Sequence, residues 1–336
     1  MVAQSELSIG FKKESTYGTG VTVDRWLEFL PNPSLNYTYN TINSKGLRVG
    51  SNGVTTLSKR VRTTSQGAGD IEFELVSKGM GTLFEALLGS GTSTLVSGTT
   101  YQQLFTLSTL PSLTIQQGLV LGNAAGDRDS QTWTGCVSSG FEIAVPNGDY
   151  ATVKTSWDIR NVDTATPYAA PSYAASPYGF HWGIAAATLG GSPTAPTTTA
   201  LASGGTQVSN VKSVSIKVDH ALSGDRYAMG SPLKKQPTAG IRTITGSIEV
   251  EHDSSTMRAA YLADTTLPLV LTMTTTESLS TGFSTFQVYV PGVKLVGTMP
   301  TSAGGQVPTV TYNFEAGYDG TNAAVAVALR TADTAL

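Results

Sequence analysis

The sequence predicts a mainly β chain built from two tandem, duplicated β-sandwich domains, each flanked by one short α-helix. Three observations carry this prediction. Charged residues make up only 13% of the 336-residue chain, about half the usual share of a globular protein, while glycine, serine and threonine are plentiful. Apolar and polar residues alternate with a period of two along many segments, the mark of strands with one buried and one wet face. Finally, the strand-like stretch Gly69-Asp70-Ile71-Glu72-Phe73-Glu74-Leu75 returns as Gly246-Ser247-Ile248-Glu249-Val250-Glu251-His252. The chain is long enough for two copies, each with its own core.

Composition also excludes several functions. A formal net charge of -3 and a pI near 5.6 leave no basic footprint for gripping nucleic acid. One cysteine, Cys136, rules out an intrachain disulfide and a cysteine-cluster metal site, and its expected role is a small buried hydrophobe. Met1 to Glu6 has no basic start followed by an apolar run, so no signal peptide is expected. No window reaches the roughly 18 apolar residues of a membrane span, and the chain is expected in the cytosol unless it assembles into something larger.

In chain order, residues 1–24 read as an extended arm, polar and punctuated by Gly10, Gly18 and Gly20. The first domain, 25–164, opens with the strand-like Arg25-Trp26-Leu27-Glu28-Phe29-Leu30, closed by Pro31 and Pro33. The repeat then becomes visible. Ser34 to Asn40 alternates as Ser213 to Asp219 does, Gly50-Ser51 matches Gly230-Ser231, and Val61-Arg62-Thr63 matches Ile241-Arg242-Thr243. The offsets are 179, 180 and 180 residues, and 177 for the two acidic strands. Four blocks in one order at a nearly constant offset indicate duplication.

Each acidic strand precedes a helical signal. In Met80 to Leu88, Leu83 and Phe84 share a face with Leu87 and Leu88, and Gly89 stops the helix. In the second half Ser254-Ser255 precedes Met257, Ala260 and Tyr261 at matching spacing. Glu142 to Pro146 with Ala151 to Trp157, and Leu295 to Pro300 with Pro308 to Phe314, read as antiparallel hairpins. Residues 165–177, rich in Pro, Ala, Ser and Tyr, form the linker. Phe180-His181-Trp182-Gly183-Ile184 then takes the part of Arg25 to Leu27, so the second domain covers 178–336.

Catalytic patterns are lacking. There is no nucleotide-binding glycine loop between strand and helix and no nucleophile elbow, and three histidines leave few groups for acid–base work. His220 and His252 each have acidic neighbours, but those carboxylates fall on the opposite strand face, so no metal site and no cofactor are expected. His181 and the four tryptophans read as packing groups. The pairs Lys12-Lys13 and Lys234-Lys235 read as solvated loops.

Several blocks together resemble the major tail (tail tube) proteins of long-tailed bacteriophages. They are Glu14 to Thr19; Gly69 to Leu75 followed by Lys78-Gly79-Met80-Gly81 and a Leu-rich helix; and Thr134-Gly135-Cys136-Val137-Ser138-Ser139 with Val145-Pro146-Asn147-Gly148. The order from Asp24-Arg25-Trp26 through Ala165-Thr166-Pro167 is similar to versions from phages of actinobacteria. The resemblance implies a structural virion protein, not an enzyme. Its subunits form rings that stack into a hollow tube through which genomic DNA is ejected. It implies tail-tube-like β-sandwiches whose strands join across subunits, six domains to a ring, so that two domains per chain give a trimeric, pseudo-hexameric ring. Six chains with one domain as decoration is the alternative. A non-viral carbohydrate-binding β-sandwich would need clustered exposed aromatics and usually a signal sequence.

The implied partners are the chain itself, the tape-measure, tail terminator and distal tail proteins, and double-stranded DNA in passage without specific binding, with no membrane. The implied place is the virion tail, after synthesis in the host cytoplasm. A carboxylate-coated bore lets DNA slide, and the expected lumen-facing acids are Asp70, Glu72, Glu74, Glu249, Glu251 and Asp253, the alternative being that they form an ordinary solvated outer face. The expected clamp on a neighbouring ring is the arm, through Phe11, Lys12, Lys13, Glu14 and Tyr17.

Overall fold

Alternating sequence becomes strand through most of the chain. The computed structural model describes residues 6–31, 33–46, 54, 57–121, 128–252, 255–297, 299, 301, 304–305 and 307–336. The first half contains β1 (Ser8–Lys13), β2 (Arg25–Trp26), β3 (Asn36–Ile42), β4 (Val61–Glu74), α1 (Gly81–Leu88), β5 (Gly89–Ser97), β6 (Thr100–Leu107), β7 (Leu113–Val120), β8 (Arg128–Val145), β9 (Thr152–Ile159) and β10 (Asn161–Asp163). The second contains β11 (Ala185–Leu189), β12 (Val211–Asp219), β13 (Thr243–Glu251), α2 (Thr256–Leu262), β14 (Leu267–Ser278), β15 (Phe283–Val296), β16 (Thr309–Gly317) and β17 (Ala326–Thr331).

The two halves pair their strands in the same order. In the first, β1 pairs with β7, β7 with β8, β8 with both β9 and β10, β9 with β4, and β4 with β3. In the second, β11 pairs with β14, β14 with β15, β15 with both β16 and β17, β16 with β13, and β13 with β12. The halves are stitched twice. β8 pairs with β12 from Gly140 opposite Asp219 to Val145 opposite Val214, and β6 pairs with β17. The result is one row of antiparallel strands in the order β3-β4-β9-β8-β12-β13-β16-β15.

Alternation sets what this row buries. Ile71, Phe73, Val153, Ile143, Val218 and Phe314, drawn from five of its strands, belong to one apolar cluster that runs through both halves. Such a continuous core makes the halves one packed body.

Helix α1 is nearly all core, with seven of its eight residues buried. Gly89 ends it in the left-handed region, φ 100°, and donates its N–H to the Glu85 carbonyl, the usual place for a residue without Cβ. The second half completes its cover: the Phe84 ring lies 5.4 Å from that of Phe286, and His220 Nε2 donates to the Leu87 carbonyl at 2.8 Å. Helix α2, by contrast, buries only Met257.

Three features go beyond the sequence expectation. Within the segment read as an arm, Ser8–Lys13 is a strand of the first half, pairing with β7 and β2. Ile9 and Phe11 alternate with Gly10 and Lys12, and their burial holds the segment. The hairpin β5–β6 has no counterpart between α2 and β14. Residues 164–177 carry no named strand, and Phe180 then anchors the second half in the first: its N–H donates to the Leu75 carbonyl at 2.8 Å, and its carbonyl accepts from Ala151 at 2.9 Å.

Candidate functional site

The strand row leaves one face polar. On β4, Ile71, Phe73 and Leu75 take the core side, so Asp70, Glu72 and Glu74 take the other. On β13, Ile248 and Val250 are buried and Glu249 and Glu251 share the polar face. Asp253 lies outside the described residues.

Lysines stand between these acids in register. Glu72 lies opposite Lys154, Lys154 opposite Glu142, and Glu142 opposite Lys217; further along, Glu315 lies opposite Lys294. Lys154 Nζ is 3.2 Å from Asp70, and Lys212 Nζ is 3.2 Å from Glu251. Ser213 Oγ donates to Glu249 at 3.1 Å. The face is therefore acidic with interleaved cations rather than a uniform carboxylate coat, a pattern that only pairing across strands reveals.

Both ends of the row are open among the described residues. β3 is paired on the β4 side alone. β15 loses its β14 partner after Val293, leaving Lys294–Val296 paired on the β16 side alone. Apolar side chains are exposed at both ends: Tyr39 and Ile42 on β3; Val296, Met299 and Leu262 near the end of β15. Unpaired edges beside exposed apolar groups are surfaces that call for another chain.

The residues expected to clamp a neighbouring ring are turned largely toward their own chain. Phe11 is core. Lys12 pairs with Asp24 at 2.8 Å and Lys13 with Glu85 at 2.6 Å, both lysines keeping nearly half their side chain exposed. The buried Glu14 carboxylate accepts from the Gly18 and Gly135 N–H groups and from the Ser112 and Thr114 hydroxyls. Arg160 lies over the Tyr17 ring at 5.2 Å, and burial pushes the Tyr17 hydroxyl pKa well up.

Among the described residues no group of three or more His, Cys, Asp or Glu side chains could hold a metal. His220 is a core group whose pKa burial lowers to about 4. Cys136 is buried, which raises its thiol pKa.

Lys234 corrects the reading of a solvated loop. It is 2% exposed and forms an ion pair with Asp158 on β9. The connection between β12 and β13 lies across the first half, where Tyr227 Oη donates to the Ser65 carbonyl at 2.9 Å and the Ser65 N–H donates to Pro232 at 3.0 Å. Adjacent lysines look alike in sequence, and only the fold shows which one is covered.

The polar face runs between two open strand edges, and comparison with known families says what kind of protein carries it. Residues 4–316 match the phage tail tube protein family. The chain belongs to that family. No curated protein matches it. As a tail tube protein it is a structural component of the virion tail rather than an enzyme, made in the host cytoplasm.

Proposed function

We propose that three copies of this tail tube protein close into a ring of six equivalent units, and that the rings stack into a tube through which genomic DNA leaves the capsid. One observation carries this reading: each chain already joins two similarly paired halves edge to edge, through β8 and β12, and ends in two open edges. Repeating that joint between chains continues the row, and closure removes its edges.

The helices and the β1–β7 layer occupy the apolar side of the row, so closure turns the polar face to the bore. Carboxylates there repel DNA phosphates. The lysines in register with them moderate the field without forming the contiguous basic track that would hold DNA and act as a brake. Contact between rings is assigned to the exposed parts of Lys12 and Lys13. Tape-measure, tail terminator and distal tail proteins are the other tail components this tube is proposed to meet.

Electron-microscopic reconstruction of tubes from the purified protein tests the whole reading. Threefold rings with Glu72 and Glu249 toward the bore and Lys12 facing the next ring are expected. Sixfold rings, or these carboxylates on the outer wall, would overturn it.

A further inference from the structure

The correspondence between the halves extends to single residues, through register. Gly69 lies opposite Trp157, as Gly246 lies opposite Phe314. Asn36 lies opposite Ala68, one residue before Gly69, as Lys217 lies opposite Thr245, one residue before Gly246. Tyr37 and Tyr39 therefore occupy the positions of Val218 and His220, two residues beyond Ile216 and Val218, the partners that the 179-residue sequence offset gives them. On the other edge, Leu295 opposite Phe314 and Val296 opposite Asn313 correspond to Ser138 opposite Trp157 and Gly140 opposite Ser156.

Inside the chain, this correspondence describes a finished joint. Asp219 lies opposite Gly140, and the next residue, His220, donates its N–H to the Ser139 carbonyl at 2.9 Å. Its ring then enters the first half, 6.2 Å from that of Phe141 and bonded to the Leu87 carbonyl of α1, and it is fully buried. Tyr39, in the matching position, is 47% exposed, with the Arg62 guanidinium over its ring at 4.0 Å. Helix α2 is bare where α1 is covered, and Leu262 in its last turn is 64% exposed. Each surface used at the internal joint thus has an unused twin at the opposite end of the row.

We propose that β3 of one copy pairs antiparallel with the end of β15 of the next, Thr38 opposite Val296, and that Tyr39 enters that copy beside the last turn of α2. The occupant is a second copy of this chain, because the internal joint already shows that the two surfaces fit. The proposal rests on the ring reading and gives it a register. The two joints differ in one respect. Gly140 lets the strands meet closely, since a Cβ there would stand 2.7 Å from the Val218 carbonyl oxygen. Val296 carries a side chain at that place, so the strands between chains stand slightly farther apart.

The double variant T38C/V296C tests the register, because opposed antiparallel residues place their Cβ atoms within reach of a disulfide and Cys136 is buried. Oxidised tubes of this variant are expected to yield covalent, closed trimers on non-reducing gels, while each single variant stays monomeric. Tyr39→Ala tests the insertion. The free chain should keep its thermal midpoint, because Tyr39 is half exposed there, while the protein concentration needed for assembly should rise about tenfold or more. Threefold tubes in which T38C/V296C stays uncrosslinked, or in which Y39A assembles like the parent, would overturn the joint and leave the ring standing. A sixfold ring would overturn the reading beneath both.

Discussion

Acid should loosen this protein through one histidine. His220 is neutral and fully buried at the internal joint. Burial is the main cause that lowers its pKa from 6.5 to about 4; Arg242 also lowers it, while the hydrogen bond to Leu87 and the charge of Asp219 oppose the change. Between those two values the unfolded chain binds a proton that the folded chain refuses, so stability rises with pH across this window. The contribution is fully present above pH 6.5 and is lost as pH falls toward 4. At 1.36 kcal/mol per pKa unit, the loss between pH 7.5 and 4.5 is about 2.5 kcal/mol. The assay is urea unfolding of the full chain at both pH values, for the parent and for His220→Gln, which removes the titration and retains a donor for Leu87. The other titrating groups act in both proteins and cancel in the comparison. The parent should lose about 2.5 kcal/mol more on acidification than the variant; equal losses would refute a neutral, buried His220.

Two further outcomes follow from the charges. Lys234→Ala leaves Asp158 buried without its cation, and burial already raises the Asp158 pKa. A loss of about 3 kcal/mol in urea unfolding is expected, largely recovered in D158N/K234M, and a loss under about 1 kcal/mol would mean that the pair is solvated. Glu72→Gln with Glu249→Gln should leave tube assembly intact and slow DNA ejection from phage carrying the variant, followed by fluorescence of released DNA; an unchanged ejection rate would refute a repulsive bore.

What was legible in the sequence is what depends on face, and what was hidden depends on neighbours. The alternation in Gly69 to Leu75 and its echo at Gly246 to His252 told which side chains are buried in β4 and β13, and Gly89 told where α1 ends, because both are local properties of the backbone. Ile9 and Phe11 obey the same alternation, but the run is short and the glycine-rich stretch beyond it masks it. Pairing is not local. Nothing in Tyr101 to Leu107 announces that β6 pairs with β17 more than 200 residues on, and nothing in Glu142 announces lysines on both neighbouring strands. The candidate bore was therefore readable as acidic residues and unreadable as an interleaved row.

The joints also differ in what reinforces them, and that difference bears on why two units share one chain. The internal joint has three supports: the β8–β12 ladder, the hairpin β5–β6 reaching across to β17, and the Phe180 segment held between Leu75 and Ala151. Between α2 and β14 there is no second hairpin, so in the proposed ring the joint between chains relies on the β3–β15 contact and on whatever Tyr39 and α2 add. Covalent linkage holds the two halves at an effective concentration of about millimolar or more, so half of the ring's joints form during folding. Only three bodies then have to meet, and each association avoided spares about 4 kcal/mol or more of lost translational and rotational freedom. A looser joint between chains is tolerable for that reason, and a strained tube would part there, between chains, before either half came away from its partner.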